Sequence, residues 1–290
     1  MQIHCVAAVR AQLGEGPLWD AARGLIWWLD IRAGMLHRHD VTTGGNAAQR
    51  LQCRLTALGL TRRDELIACG DRGFARLHIA PDLSVHVGEV LASPRERTGN
   101  RFNDGKVDDH GRFWAGTMDD AELGAHGALY RLDPGGAAKQ IRTGISVPNG
   151  PCFLADGTML MTDSPHRRIT AVQLDEAGDP LAEREFARFG PSEGIPDGMT
   201  VDADDHVWVA FWDGWCVRRL SPAGRVVAEI GLPVQRPTCP VFGGPRLQHL
   251  YVTTATTGLS AAALAAQPLA GNLLRLEPGV EGLPTARFAG

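Results

Sequence analysis

Asn100-Arg101-Phe102-Asn103-Asp104-Gly105-Lys106-Val107-Asp108, continuing through Phe113-Trp114-Ala115-Gly116-Thr117-Met118, is the stretch whose reading decides the fold. It opens as a polar loop carrying a guanidinium, amides and carboxylates. It then alternates into a strand from Phe113 to Thr117, and its Asp-Gly turns are strand-connecting chemistry. Taken alone, the stretch describes an inter-strand loop whose Asn and Asp cap turns. Its recurrence in altered form along the chain gives it more weight.

One pattern returns six times: a Gly-containing loop, a short apolar strand, a turn, a second strand ending in a small or polar residue, and a third strand. The units open at Gly14-Glu15-Gly16-Pro17, Leu58-Gly59-Leu60, the stretch above, Pro148-Asn149-Gly150-Pro151, Pro196-Asp197-Gly198-Met199 and Pro240-Val241-Phe242. The glycines Gly16, Gly59, Gly105, Gly150 and Gly198 recur roughly every 45 residues, a period that marks a β-propeller with a few short strands per blade. The expected fold is therefore all-β, a six-bladed β-propeller in one domain spanning residues 1–290. The ring would close by pairing the chain termini into one blade, so that no long edge stays exposed. Helical periodicity is nearly absent; Ser260 to Ala266 reads as a turn or two of helix inside a loop.

Composition narrows the function classes. The chain has 290 residues, with 29 Lys and Arg against 33 Asp and Glu. No long run of either sign occurs, which argues against nucleic acid or an anionic membrane as partner. The N-terminus lacks a basic segment followed by an apolar core, and no apolar run reaches membrane-spanning length. Six scattered cysteines without a C-x-x-C pair read as free thiols in a reducing compartment. The expectation is a soluble cytoplasmic protein, a monomer or weak oligomer.

Equivalent repeat positions converge on a propeller's central channel. The residue before each anchor glycine is Glu15, Asp104, Asn149 and Asp197 in units one, three, four and five. Asn and Asp before Gly are also ordinary turn formers; Glu15 is not. Side chains offering only oxygen suit a hard cation: Ca²⁺, Mg²⁺ or Mn²⁺, with Zn²⁺ or Fe²⁺ where solvent fills the remaining positions. Such an ion can polarise a carbonyl while a nearby carboxylate serves as base. Arg101 and Asn103 supply donors beside it. Competing motifs are absent: there is no G-x-S-x-G elbow, no H-E-x-x-H and no P-loop. Trp27, Trp28, Trp114 and Trp208 are expected in the core between blades, whereas Trp212 and Trp215 could line a pocket.

Gly14-Glu15-Gly16-Pro17, Asn100 to Lys106, Ala115-Gly116-Thr117-Met118, Ser146 to Gly150, Ile195 to Met199 and Phe242-Gly243-Gly244 together resemble the regucalcin (senescence marker protein)/gluconolactonase-like group of six-bladed propellers. The resemblance runs in order along essentially the whole chain. It implies one divalent metal held by Glu15, Asn149 and Asp197, with Asp197 as the proton-transferring catalytic residue. It also implies substrate hydroxyl contacts from Arg101 and Asn103. The family departs from this chain at one point. Its members place a substrate-contacting Glu shortly after Gly-Thr-Met, where this sequence has Ala121, flanked by Asp120 and Glu122 in a shorter loop.

The expected activity is hydrolysis of a small sugar lactone to its aldonic acid, of the gluconolactonase, arabinonolactonase or xylonolactonase type. Two alternatives remain open at this level. One is a non-catalytic, calcium-binding propeller; the other is a hydrolase of other esters or of phosphotriesters on the same fold.

Overall fold

The structure, a computed structural model, describes residues 2–290; Met1, part of the expected domain range, lies outside them. Six sheets of four antiparallel strands, one of them extended by a fifth, account for nearly all of the regular structure. Blade one runs Gly14–Asp20, Leu25–Asp30, Met35–Asp40 and Asn46–Arg50. Blades three, four and five repeat that order, starting at Asn100–Val107, Pro148–Phe153 and Ile195–Val201. In each blade the first strand lies innermost and buried, and the last is outermost and largely wet.

Blade six closes the ring. Its inner strands are Pro237–Gly243, His249–Thr254 and Leu273–Leu276, and its outer strand is Ile3–Ala7 from the opposite end of the chain, paired antiparallel as Ile3 with Leu276 and Cys5 with Leu274. Terminal pairing thus takes the expected form. A second closure was not foreseen. Arg287–Phe288 adds in parallel to the inner strand of blade two, Leu55–Thr61, and the Arg287 guanidinium meets Asp64. On the way there, residues 281–285 bond to Ala203, Leu247 and Trp19 in three different blades. The helix is Ala261–Ala266, capped by the Ser260 hydroxyl, which accepts from the Ala263 amide. No helix among the described residues is long and apolar enough to cross a membrane.

The opening stretch differs from its sequence reading. Asn100–Val107 is the innermost strand of blade three, with the strand Phe113–Asp119 beside it. Its run of polar residues hid a strand because those side chains face the channel, where polarity has a use.

The blades are held together by repeat-equivalent aromatic cores. Trp27, Trp28, Trp114 and Trp208 are all fully buried. Three of the indoles are tied to a carboxylate at the end of the preceding inner strand. Trp27, Trp114 and Trp208 donate from Nε1 to Asp20 (3.3 Å), Asp108 (2.8 Å) and Asp202 (2.8 Å). An arginine completes each trio: Arg23, Arg112 and Arg219 reach the same carboxylates at 2.8, 2.6 and 2.7 Å. Each acid is buried yet fully engaged, which is the condition under which a buried charge is tolerated. Asp108→Ala would strand the Trp114 N–H and the Arg112 guanidinium without an acceptor. It is expected to cost about 3 kcal/mol in urea unfolding, and a loss below about 1 kcal/mol would show that the trio is not structural.

Candidate active site

The site arises from a backbone irregularity repeated around the ring. In five blades the ladder between inner strand and neighbour breaks at the anchor motif: between Glu15 and Leu18, Phe102 and Gly105, Asn149 and Cys152, Pro196 and Met199, and Pro237 and Pro240. Such bulges re-aim side chains and are common beside active sites. Gly16 and Gly150 take left-handed φ values of 55° and 79° there, which glycine adopts without steric cost. Glu15, Asn103, Asn149 and Asp197, at or within four of these breaks, line a cavity at one end of the channel.

Glu15, Arg101, Asn103, Asn149 and Asp197 all line one cavity at that end, about 340 Å³ in volume. Every expected site residue is therefore brought to one place. Asp104 is not among them. It lines a separate cavity toward the other end of the inner strands, and its carboxylate accepts from the Gly105 and Gly150 amides at 2.7 and 2.8 Å. Blade three thus faces the site with Asn103, one residue earlier than the repeat alignment implies. Burial pushes the Asp104 carboxyl up to about 6.

A chain of hydrogen bonds fixes the donors. Arg101 Nη1 donates to Asn103 Oδ1 at 2.8 Å. Asn103 Nδ2 donates to Asn149 Oδ1 at 2.9 Å and to the Pro148 carbonyl at 2.9 Å. Asn149 Nδ2 donates to Ser164 Oγ at 2.8 Å, and Ser164 in turn donates to the Pro196 carbonyl at 2.7 Å. That last link ends on the residue preceding Asp197. Because Ser164 spends its proton on a carbonyl, it can only accept from Asn149, and this sets the amide with its oxygen turned the other way. Sequence reasoning missed Ser164; its position directly after the second strand of blade four, which ends at Asp163, was the signal available.

Two residues left open by the sequence take separate positions. Asp120 accepts from Arg101 Nε at 2.6 Å and from Arg54 Nη1 at 2.9 Å, so it anchors the cavity's arginine. Glu122, with a left-handed φ of 56°, lines the cavity itself. Trp212 also lines it, with the Arg236 guanidinium 4.6 Å above its ring. Trp215 does not; its side chain is 43% exposed.

The electrostatics are unusual for a folded interior. Glu15 and Asp197 are buried, and neither forms an ion pair among the described residues. Burial raises the Glu15 carboxyl well above its ordinary value, reinforced by the charges of Asp197 and Asp104. Burial, with Asp104 next, does the same to Asp197. Crowded carboxylates without a counter-charge are what a cation would relieve. Among the described residues no group of three His, Cys, Asp or Glu side chains could hold a metal. A cation here would therefore combine the two carboxylates with the Asn149 amide oxygen and with solvent or substrate. That oxygen-only donor set fits a hard divalent ion.

Known proteins resemble the chain over nearly their full length. The chain is 37% identical over 293 residues to a 6-deoxy-6-sulfogluconolactonase of Pseudomonas putida, covering 99% of each. It is 32% identical over 299 residues to a pentonolactonase of Haloferax volcanii, covering 99% of this chain and 98% of that one. The crystal structure of a calcium-binding protein, regucalcin, from Agrobacterium tumefaciens superposes with a TM-score of 0.92 at 29% identity, covering 99% of this chain and 97% of the other. With the model of the SMP-30/gluconolactonase/LRE-like region matching residues 13–256, the chain belongs to that family.

Proposed function

We propose that this protein hydrolyses a sugar lactone to the aldonic acid with the help of one divalent cation held by Glu15, Asn149 and Asp197. The observation that carries the reading is the pairing, in one cavity, of two buried unpaired carboxylates with the tethered Arg101–Asn103 pair. Relatives named as sugar lactonases align with this chain from end to end, which supports the same class of substrate here.

A bound cation would supply positive charge to polarise the lactone carbonyl and stabilise the oxyanion that forms on it. Asp197 takes a proton from the attacking water as the new C–O bond forms. It returns that proton to the ring oxygen when the ester C–O bond breaks, giving the open-chain acid. Arg101 directs its remaining N–H edge at a substrate hydroxyl. Asn103 is already committed to Arg101 and Asn149, and offers the second lone pair of Oδ1 as an acceptor. Glu122 adds an acceptor at the cavity wall for further hydroxyls.

A non-catalytic cation-binding role would need the carboxylates but leaves the Arg101–Asn103–Asn149 chain without a purpose. Hydrolysis of apolar esters or phosphotriesters fits poorly with a cavity lined by arginine, amides and three carboxylates.

Two outcomes test the reading. Asp197→Asn should lower kcat on a neutral aldonolactone by about 10³-fold, the usual scale for a lost general base, measured by proton release above the spontaneous rate; near-full activity in the folded variant would exclude Asp197 as base. The second concerns the chelator-stripped protein. The folded state holds protons on Glu15 and Asp197 at pH values where the unfolded chain, with carboxyls ionising near 4, has lost them. Stability of the stripped protein should therefore fall as pH rises from about 5 to 8. A divalent cation should restore the melting temperature, and more so at pH 8 than at pH 5. A melting temperature indifferent to both pH and every divalent ion would contradict the metal assignment.

A further inference from the structure

A second cavity of about 330 Å³ adjoins the first and shares Leu13, Arg32 and Arg101 with it. Its character is different. Glu15, Asp197 and Glu122 line only the first cavity; the annex is lined by Arg32, Arg54 and Arg101 with a single carboxylate, Asp120.

The three guanidiniums are unequally satisfied. Arg101 is 8% exposed and uses Nε on Asp120 and Nη1 on Phe102 and Asn103, leaving Nη2 without a partner. Arg54 uses Nε on Asp71 and Nη1 on Asp120, again leaving Nη2. Arg32 makes no hydrogen bond or ion pair with any described residue. In the annex itself, Asp120 and the Asp71 paired with Arg54 are the only carboxylates that bond to the three arginines, which leaves Arg32 without an ion pair. A neutral hydroxyl would engage one of these N–H edges. An anion with several oxygens can engage all of them, and planar guanidinium forks are the side chains best matched to such groups.

The order of groups along the two cavities sets the polarity of a ligand. Glu15, Asp197 and Glu122 line the first cavity alone, Arg32 and Arg101 line both, and Arg54 lines only the annex. We propose that the annex receives an anionic substituent (sulfonate, phosphate or carboxylate) carried at the end of the sugar lactone remote from its ring carbonyl. The proposal rests on the lactonase reading and narrows its substrate class. The lactone ring sits over Glu15 and Asp197, and its tail carries the negative charge away from them, past Arg32 and Arg101 toward Arg54. An anion placed beside the two carboxylates would be repelled, so the same arrangement rejects the reversed orientation.

The test compares gluconolactone with three derivatives carrying sulfonate, phosphate or carboxylate at carbon 6, each in the presence of divalent cation. At least one anionic lactone should exceed the neutral one in kcat/KM by about tenfold, expressed mainly in KM and shrinking as salt is raised. Arg32→Gln and Arg54→Gln should each cut that ratio by about fivefold or more. A ratio of one or less for all three anions, or a ratio unchanged in both variants, overturns the proposal. Calorimetric binding of the open-chain 6-phosphoaldonate against the neutral aldonate provides a readout without turnover. Tighter anion binding that Arg32→Gln abolishes, with no lactone hydrolysed, would sustain the annex while the lactonase reading fails. Turnover of the neutral lactone without any anion preference would do the reverse.

Discussion

The rest of this structure depends on the burial of two like charges without a partner. Glu15 and Asp197 come from the inner strands of blades one and five, which are far apart in sequence, and only ring closure brings them together. Removing carboxylates from water costs several kcal/mol each, so an isolated hairpin could not hold them in place. The frame that does so is the ring of buried tryptophans and their Asp–Arg partners, together with the strands supplied by both ends of the chain. Stability is built into the rim and the blade interfaces and drawn down at the axis, a division seen wherever function needs strain.

The propeller also solves a geometric problem. Each inner strand starts at the site end and ends at the opposite face, and the bulge at each anchor motif turns one or two side chains inward without disturbing the rest of the sheet. Different blades can then present different chemistry at the same height: a carboxylate from blade one, a guanidinium and an amide from blade three, an amide from blade four, and a carboxylate from blade five. Because the strands behind them are rigid, distances of 2.7–2.9 Å along the Asn103–Asn149–Ser164–Pro196 chain are fixed before any ligand arrives.

Much of this was legible in the sequence because propeller blades repeat, and the repeat carries both fold and site. Glycines about 45 residues apart gave the blade count, and the oxygen-bearing residues beside them gave four of the five cavity positions of interest within one residue. The reading erred where local and tertiary logic part. Asn100–Val107 looked like a loop because its side chains are polar, yet a strand facing a functional channel is polar for that reason. Asp104 looked equivalent to Asp197, but backbone amides of the neighbouring strand capture it. The separate positions of Asp120 and Glu122 depend on a left-handed residue between two turns, and no periodicity reports that. The arginines of the annex come from three blades, and although Arg54 and Arg101 stand about one repeat apart, Arg32 falls outside that period.

The chain's last segment has a consequence for traffic through the molecule. Residues 283–286 line the cavity at the far ends of the inner strands, to which all six blades contribute, together with Asp104, Lys106 and Cys239. That segment takes up room at the end of the channel opposite the candidate site. A ligand that enters the site cavity from its own end would leave by that end too, so one ligand has to go before the next can take its place. Under the lactonase reading, accumulated acid would then slow its own formation by occupying the site, a form of feedback that needs no second site.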